Sequence, residues 1–471
     1  MSPRPNVLLI VTDQQRADTI DPGGPARTPH LQALAERGAR FERCYAPNPI
    51  CSPTRASMFT GLLPHAHGVE DVTHAVTPPK AELKGDVPFW PRTLHAAGYR
   101  TGYFGKWHVE RSEALEHFGF DTYATELHLV NVPSERRALR SARYVRQEGY
   151  RDFLLCGVTE EPASATREHA LFDRGIEFVR AASADAEVPW ALVVATEAPH
   201  DPFVAPAECR DRYDASSLPL PPNAHDPLTD RPAIYRRLQR VWEGLDEAET
   251  REATACYLAL CSLIDDGVGR LLAALDETGQ TDDTVVIFTS DHGDLLGAHG
   301  LWLKGVPPFE EAYRVPLVMA GPGVPAGVRH PDPVSLVDLA ATIVRLTLDE
   351  PFVGHGRDLT AAFGPSAHTL APEAYAEFHG QRFGYTQRIV WYEHHKYVFN
   401  GFDEDELYDL RHDPHEERNL ARDPEHAALL ARMAARMWRT AHATNDTTFV
   451  DAHYGMFRFA PVGPDVGLEP A

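Results

Sequence analysis

The chain has 471 residues, of which 43% are hydrophobic and 24% are charged, a composition typical of a globular protein with a large buried core. This length predicts two or three structural units, although one extended α/β domain is an alternative. The formal net charge of −23 argues against nucleic acid and anionic membranes as partners, because both attract basic surfaces.

Neither a signal peptide nor a membrane span is predicted. The apolar run at 6–11 is too short for either, and polar residues follow it directly. The cysteines show no paired spacing, which argues against a disulfide framework and favours a reducing compartment, the cytoplasm. They are Cys44, Cys51, Cys156, Cys209, Cys256 and Cys261.

The run at 6–11 (Asn-Val-Leu-Leu-Ile-Val) is typical of a central strand in a parallel sheet that is covered on both faces. Asp13 and Gln14 follow at its carboxyl end, the edge where ligands bind in open α/β sheets. Two oxygen-bearing side chains there suit a hard divalent cation. A helix cap or a turn is the alternative explanation for the pair.

A first helix is predicted to begin at Pro29, with Thr28 as its capping residue and Gly38 at its end. The stretch Cys-Ser-Pro-Thr-Arg at 51–55 predicts a second helix N-terminus, because a proline fits the first turn. Free N–H groups and the helix dipole favour negative charge on Cys51, and Arg55, one turn further on, is a partner for an oxyanion. A small buried cysteine before a capped helix is the alternative.

A strand at 99–104 is predicted to lead into Gly-Lys-Trp-His at 105–108. In an extended segment Lys106 and His108 would point the same way, into one pocket. A solvated lysine and a packed histidine are the alternative. The segment 135–146 is basic and is predicted to be a helix with a solvated face, or else part of a substrate-facing insertion.

A further buried strand at 190–196 precedes Pro-His-Asp-Pro-Phe at 199–203. A histidine can be charged near neutral pH and can donate a proton, so His200 is a candidate general acid. A structural turn histidine is the alternative. The segment 201–230 is rich in Pro, Asp and Ser and predicts a long surface loop, and 245–275 predicts a long helix.

The strongest strand pattern lies at 284–289, and Ser-Asp-His-Gly-Asp follows it at 290–294. We expect Asp291 and Asp13 to emerge at the same sheet edge, as a metal site assembled across an α/β fold requires. A last strand is predicted at 315–319.

The C-terminal part is predicted to form a small antiparallel sheet from 391–399 and 406–410, followed by a helix at 424–440. We therefore expect a catalytic α/β domain at 1–365 and a smaller α+β subdomain with a tail at 366–471. The tail is predicted to cover the site or an oligomer interface, and a homo-oligomer remains open.

Six of these segments, in this order, resemble the type I, formylglycine-dependent sulfatases of the alkaline-phosphatase-like superfamily, which also includes the phosphonate monoester hydrolases. The resemblance extends from residue 6 to residue 420. It implies an α/β fold with a large mixed, mostly parallel sheet flanked by helices, and a small C-terminal antiparallel sheet plus helix. The matching segments are 13–14, 51–61, 105–108, 199–203, 291–292 and 299–305.

The resemblance also implies roles for individual residues. Cys51 would be oxidised by a formylglycine-generating enzyme to formylglycine, whose hydrate is the nucleophile in the family. Lys106 and Lys304 would bind the sulfate, His108 would help break down the hemiacetal, and His200 would lie near the leaving-group oxygen. One divalent cation, Ca²⁺ in most of the family, would be held by Asp13, Gln14, Cys51, Asp291 and His292.

Two metal-binding pairs depart from the commonest family pattern. Many sulfatases carry Asp-Asp and Asp-Asn where this chain has Asp13-Gln14 and Asp291-His292. Fewer carboxylates and an added imidazole shift the preference from Ca²⁺ toward Mn²⁺. The same pairs occur in some bacterial sulfatases and in the phosphonate monoester hydrolases and phosphodiesterases that use formylglycine.

Three functions therefore follow as hypotheses. The first is hydrolysis of a small organic sulfate ester, which Pro53 and Gly-Leu-Trp at 300–302 favour because they resemble ordinary sulfatases. The second is hydrolysis of a phosphonate monoester or phosphate diester at the same site. The third is a binding protein that kept the fold and lost catalysis, against which the intact set of site residues argues.

Overall fold

A computed structural model describes residues 4–112, 114–125, 139–363, 370–401, 403–451 and 460–465. The α-helices are α1 (Pro29–Glu36), α2 (Cys51–Thr60), α3 (Pro64–His67), α4 (Trp90–Ala96), α5 (Arg167–Ala182), α6 (Ala207–Arg210), α7 (Ala233–Trp242), α8 (Glu247–Glu277), α9 (Glu310–Tyr313), α10 (Asp338–Leu348), α11 (Ala427–Ala443) and α12 (Thr447–Val450).

The strands form four sheets. They are β1 (Asn6–Thr12), β2 (Ala39–Phe41), β3 (Cys44–Tyr45), β4 (Arg100–Gly105), β5 (Thr122–Ala124), β6 (Arg140–Val145), β7 (Phe153–Thr159), β8 (Trp190–Ala195), β9 (Phe203–Pro206), β10 (Thr284–Ser290), β11 (Arg314–Val315), β12 (Leu317–Ala320), β13 (Val328–His330), β14 (Val334–Ser335), β15 (Glu373–Gly380), β16 (Gly384–Tyr392), β17 (His395–Asn400) and β18 (Glu406–Asp409).

An eight-stranded sheet in the order β13-β2-β12-β10-β1-β8-β4-β5 forms the centre of the molecule. Strands β10, β1, β8, β4 and β5 run parallel to one another, while β12 is antiparallel to both β10 and β2. The predicted buried strands are confirmed, because the apolar runs of β1, β8 and β10 lie side by side in the middle of this sheet. The predicted fold class is confirmed as well.

Both faces of the sheet are covered, as the continuous apolar runs predict. Leu8 and Ile10 of β1 pack on one side in a core that includes α1, α5 and α8. Val7 and Leu9 point to the other side, into a core with α2, α4 and α10. The alternation of neighbouring residues between two buried faces is why β1 carries no polar residue between its ends.

The strand predicted at 315–319 is divided. Pro316 has no N–H to donate, and it separates β11 from β12. Strand β11 pairs with β3 in a small three-stranded sheet, and β12 pairs with β10 in the central sheet. One apolar run thus serves two sheets.

Two other predictions are wrong in part. The segment 201–230 is not loop throughout, because β9 and α6 lie in it, and β9 pairs in parallel with β7. The segment 135–146 was predicted to be a helix, but its described part contains β6, which pairs with β7. Residues 126–138 lie outside the described part of the chain.

The long predicted helix is confirmed as α8, which begins with a capping box between Asp246 and Glu249. The predicted cap of α1 is wrong: the Thr28 side chain caps nothing and donates to the Thr19 carbonyl instead. Asp265 of α8 accepts from the first free N–H groups of α1, at His30 (3.1 Å) and Leu31 (2.8 Å).

The C-terminal antiparallel sheet and helix are confirmed as β15-β16-β17-β18 and α11. Helix α11 covers one face of the sheet with Met433 and Met437, both of which are buried. The other face packs on the rest of the chain, where Trp391 stacks on Tyr45 with ring centroids 4.1 Å apart. The domain boundary at residue 365 stays a prediction.

Candidate active site

The register of the central sheet brings two distant carboxylates together. Strands β1 and β10 pair in parallel with Thr12 opposite Ser290, so Asp13 and Asp291 leave the same sheet edge side by side. The Asp291 N–H donates to the Thr12 carbonyl (3.1 Å), which continues the pairing beyond the strand ends. This confirms that both aspartates emerge at one edge.

Cys51 reaches this edge as the first residue of α2. Ile50 precedes the helix in an extended conformation, and Gly61 ends it with a left-handed backbone (φ 66°). Every residue of α2 is buried. The cysteine therefore lies at a buried helix N-terminus, where the helix dipole favours negative charge.

Four side chains converge there as a candidate metal centre. Asp13, Cys51, Asp291 and His292 each offer a ligand atom, and these atoms lie within 4.8 Å of one another. The Cys51 Sγ is 3.2 Å from His292 Nε2 and 3.7 Å from Asp13 Oδ1. Two carboxylates and an imidazole form a donor set that suits a divalent cation.

His292 is oriented as a metal ligand would be. Its Nδ1 lies 2.9 Å from the Gly293 carbonyl and donates to it, which leaves the Nε2 lone pair facing the carboxylates. Its Nε2 is 3.6 Å from one oxygen of Asp13 and 3.6 Å from one of Asp291. Burial lowers the pKa of His292, so the imidazole is available in its neutral form.

Two buried cations neutralise the carboxylates. Lys106 Nζ lies 2.6 Å from Asp13 Oδ2, and Arg55 Nε lies 2.7 Å from Asp291 Oδ2. Burial alone would raise the pKa of Asp13, but Lys106, His200, His292 and Arg55 hold it well below its usual range. Arg55 also donates to the Lys106 carbonyl (2.8 Å) and is 1% exposed, so it holds the carboxylates rather than presenting a free guanidinium.

Gln14 lies beside the group with a left-handed backbone (φ 70°). Its Oε1 accepts from the Lys304 ammonium, and its Nε2 donates to Asp201 Oδ1 (3.2 Å) and to Asp294. The amide therefore links Lys304 to two carboxylates in this structure. Its role as a metal ligand stays a prediction.

His200 and Lys304 form a hydrogen-bonded pair beside the candidate metal centre, with His200 Nε2 4.0 Å from Asp13 Oδ1. Lys304 Nζ lies 2.7 Å from His200 Nε2, and His200 Nδ1 lies 2.7 Å from the Asp201 carbonyl. Burial would lower the pKa of His200, but the Asp201 carboxylate raises it above its ordinary value. Because Nδ1 donates to that carbonyl, Nε2 accepts a hydrogen bond from the Lys304 ammonium.

Lys106 and His108 do not alternate along an extended strand as predicted. Strand β4 ends at Gly105, and His108 has a left-handed backbone (φ 50°). The Lys106 ammonium nevertheless reaches the candidate metal centre, where it contacts Asp13. His108 instead pairs through Nε2 with Nδ1 of His74, at 3.1 Å.

Three residues of the site carried no predicted role: His74, Asp201 and Asp294. Asp201 and Asp294 stand within the motifs at 199–203 and 290–294, so their position beside His200 and Asp291 was the available signal. Asp294 is fully buried and accepts from the backbone N–H groups of Leu296 and Leu303, which fixes the loop before Lys304. No local pattern singles out His74.

A second group of potential ligands lies elsewhere, at His65, Glu377 and Asp446. Its charges are already paired: His65 Nδ1 lies 2.5 Å from Glu377, and Arg388 Nη2 lies 2.7 Å from Asp446. Two carboxylates thus face two cationic side chains. We interpret this group as an ion-pair network that joins α3 to β15 and to the turn between α11 and α12.

The six cysteines are all buried and free in the structure. None of the helices in the described part of the chain is both long and apolar enough to cross a membrane.

Comparison with known proteins gives a consistent result. A family profile described as "Sulfatase" matches residues 5–349, and one described as "N-sulphoglucosamine sulphohydrolase, C-terminal" matches residues 297–443. The chain is 31% identical to a choline-sulfatase of Rhizobium meliloti over 93% of this chain and 87% of that protein. It is 30% identical to the uncharacterized sulfatase YidJ of Escherichia coli over 91% of this chain and 86% of that protein.

Among solved structures, a phosphonate monoester hydrolase from Silicibacter pomeroyi aligns with a TM-score of 0.78 and 26% sequence identity. The alignment covers 95% of this chain and 97% of that one.

Proposed function

The chain belongs to the sulfatase family of sulfuric ester hydrolases, and from this we propose that it hydrolyses a small organic sulfate monoester to an alcohol and inorganic sulfate. The observation that carries the proposal is the position of Cys51 at the N-terminus of α2, within 4.8 Å of the ligand atoms of two aspartates and a histidine. A precursor of the nucleophile at this point would have both a cation and a helix dipole to stabilise developing negative charge.

A cysteine as such is a poor nucleophile for this reaction. A thiolate that attacks sulfur would leave a stable thiosulfate adduct, whereas the hydrate of formylglycine has two hydroxyls, one to attack and one whose deprotonation expels sulfate. Conversion of Cys51 by a formylglycine-generating enzyme is therefore part of the proposal.

The candidate metal centre would hold one divalent cation through Asp13, Asp291, His292 and an oxygen of converted residue 51, with Gln14 as a further predicted ligand. Such a cation would polarise the sulfuryl oxygens. Ca²⁺ is the family's usual ion, and the imidazole of His292 makes Mn²⁺ the alternative. Metal analysis should find about one ion per chain and clearly less in Asp291→Asn, because that substitution would remove one of the proposed carboxylate ligands.

The remaining groups bind and protonate the substrate. Lys106 and Lys304 would hold sulfuryl oxygens, and Arg55 would keep the carboxylates of Asp13 and Asp291 in place. His200, whose pKa Asp201 raises against the effect of burial, would protonate the leaving oxygen. His108 would take up the proton whose removal releases sulfate.

A second candidate function is hydrolysis of a phosphonate monoester or phosphate diester. It is favoured by Gln14 and His292 in the metal-binding pairs, and by the likeness to the phosphonate monoester hydrolase structure. Such substrates have two non-bridging oxygens where a sulfate monoester has three, so a second lysine has one oxygen fewer to bind. Lys106 and Lys304 together favour the sulfate ester.

The test begins with the modification. In protein produced together with a formylglycine-generating enzyme, the peptide that contains Cys51 should be about 18 Da lighter than the unmodified peptide. An unchanged mass together with no turnover would contradict the proposal.

On converted protein, kcat/KM is then compared for an aryl sulfate and for the aryl phosphonate and phosphate diester with the same leaving group. A ratio that favours sulfate by several powers of ten supports the sulfatase. A ratio near one, or a reversed ratio, selects the second candidate.

A further inference from the structure

His108 makes an unusual pair with a second histidine. Its ring lies parallel to that of His74, with centroids 5.2 Å apart and planes 14° apart, and its Nε2 is 3.1 Å from His74 Nδ1. At this distance one of the two nitrogens must carry the hydrogen and the other must accept it. The pair therefore couples the tautomer of His108 to that of His74.

The loop that carries His74 is held in place on both sides. Arg111 donates to the carbonyls of Thr73 (2.8 Å) and Val76, which flank the histidine. The Thr73 N–H donates to the hydroxyl of Ser52 (3.3 Å), the residue next to Cys51. His74 is thus attached to the same helix end that carries the candidate nucleophile.

The other nitrogen of His108 faces the protein. Its Nδ1 is buried and has no hydrogen-bond partner in the described part of the chain. A buried polar atom without a partner is rare and calls for one, such as a bound substrate or a group formed during the reaction. Burial, together with the charges of Lys106 and Arg55, holds the pKa of His108 well below its ordinary value, so the ring is neutral.

A lone pair suits this position better than an N–H. The positive end of an N–H dipole would be repelled by the charges of Lys106 and Arg55, whereas a lone pair is attracted by them. The favoured tautomer of His108 therefore has its hydrogen on Nε2, donated to His74, and its lone pair on Nδ1.

We propose that His74 is a positioning residue for His108: it accepts the Nε2–H, fixes the ring orientation through this hydrogen bond and so keeps the Nδ1 lone pair ready as a base. This inference rests on the proposed function for the role of that base. Nδ1 takes the proton of the second hydroxyl of residue 51, the carbon–oxygen double bond forms, and the bond to sulfate breaks with its electron pair leaving on sulfate. The imidazolium that results is stabilised by a charge-assisted hydrogen bond to His74.

The first experiment does not depend on activity. Nitrogen NMR of labelled histidines reports the tautomer directly, and it can be recorded on protein that retains an unmodified Cys51. The His108 signal is identified by its loss in His108→Ala. We expect Nε2 protonated in the wild type and in His74→Gln, whose side-chain oxygen accepts the same hydrogen, and a mixture of tautomers in His74→Phe. A His108 ring that carries its hydrogen on Nδ1 in the wild type would overturn the proposal.

The second experiment separates the two halves of the reaction on converted protein with an activated aryl sulfate. Without His74, release of the first aryl alcohol should keep its rate, while steady turnover falls by about 10-fold to 100-fold. A burst of alcohol and a sulfated residue 51, detected by intact mass, should then appear. His74→Gln should recover much of the rate, and His74→Phe, which keeps a planar ring but offers no acceptor, should not.

His412→Ala is the matched control, because this histidine is exposed and pairs with a carboxylate, Asp409, at 2.8 Å. Equal losses in the burst and in steady turnover, or wild-type turnover in His74→Phe, would contradict the role of His74. If the converted wild type fails to turn over any sulfate ester, the proposed function fails, while the NMR result still decides the tautomer.

Discussion

At the scale of single residues, the site uses backbone conformations that side chains other than glycine rarely adopt. Gln14, His108 and Leu303 all have positive φ angles, of 70°, 50° and 63°. Each costs about 1–2 kcal/mol relative to an ordinary conformation. Contacts with the surrounding protein stabilise these backbone conformations. Tyr257, for example, donates a hydrogen bond to the Gln14 carbonyl (2.7 Å). The strained residues lie within two residues of Asp13, Lys106 and Lys304 in the sequence, in the segments that carry the site.

His200 should matter most when the leaving group needs a proton. In His200→Gln we expect kcat/KM to fall by about 10²-fold to 10⁴-fold for an alkyl sulfate. For an activated aryl sulfate, whose oxyanion leaves without help, the loss should be below about 10-fold. Steady-state kinetics on both substrates measure this difference, and equal losses would reject His200 as the acid.

At the scale of secondary-structure elements, α1 depends on α8. Asp265 accepts from two N–H groups of α1, and it is fully buried. The two helices are joined by more than 200 residues of chain, so this cap exists only in the folded state. It replaces the local cap that Thr28 does not provide.

Removal of this carboxylate should destabilise the protein. Asp265→Ala leaves the buried Leu31 N–H without an acceptor, which should cost about 1–2 kcal/mol in the free energy of unfolding. Urea unfolding measures the change. The control is Asp266→Ala, which removes a partly exposed ion pair with Arg212 and should cost less than about 1 kcal/mol. Equal effects would mean that the cap contributes nothing specific.

At the scale of the whole molecule, the ion-pair network around Glu377 joins α3, which precedes the central part of the chain, to the C-terminal antiparallel sheet. His65 lies in α3 and Glu377 in β15, and His65 Nε2 donates to the Thr444 carbonyl after α11 (2.9 Å). Burial would lower the pKa of His65, but the hydrogen bond to Glu377 and its charge raise it. Burial would raise the pKa of Glu377, but Arg388, His379 and His65 hold it well below its usual range.

These two shifts predict a pH dependence of stability. A histidine with a raised pKa contributes its stability fully below its unfolded pKa, about 6.5, and loses it as the pH rises through the folded value. In acid the contribution is lost again as Glu377 becomes protonated. We expect His65→Ala to cost about 3–5 kcal/mol at pH 6 and clearly less at pH 9.

Urea unfolding at the two pH values tests this expectation. His412→Ala is again the control, because its side chain is 78% exposed and should cost below about 1 kcal/mol at both pH values. A cost of His65→Ala that does not change with pH would contradict the charged pair.

The sequence by itself determined the strands at the centre of the sheet and the motifs that follow them. A strand buried on both faces must be apolar throughout, so β1, β8 and β10 are visible as local runs. The residues directly after such strands reach the sheet edge in any parallel arrangement, which is why the sequence predicts that Asp13 and Asp291 lie at one edge. His200 follows β8 and lies there too, with Nε2 4.0 Å from Asp13 Oδ1. Proline and glycine likewise mark the two ends of α2.

Only the tertiary structure decided the contacts between segments that are far apart in the chain. Strand β9 is four residues long and is stabilised by its pairing with β7, so its own sequence reads as loop. Arg55 could serve a substrate or a carboxylate until the fold placed Asp291 beside it. No local pattern identifies His74, because its proposed role depends on its contact with His108, 34 residues further along the chain. Apolar periodicity and turn residues act locally, whereas the partner of a polar side chain is chosen by the fold.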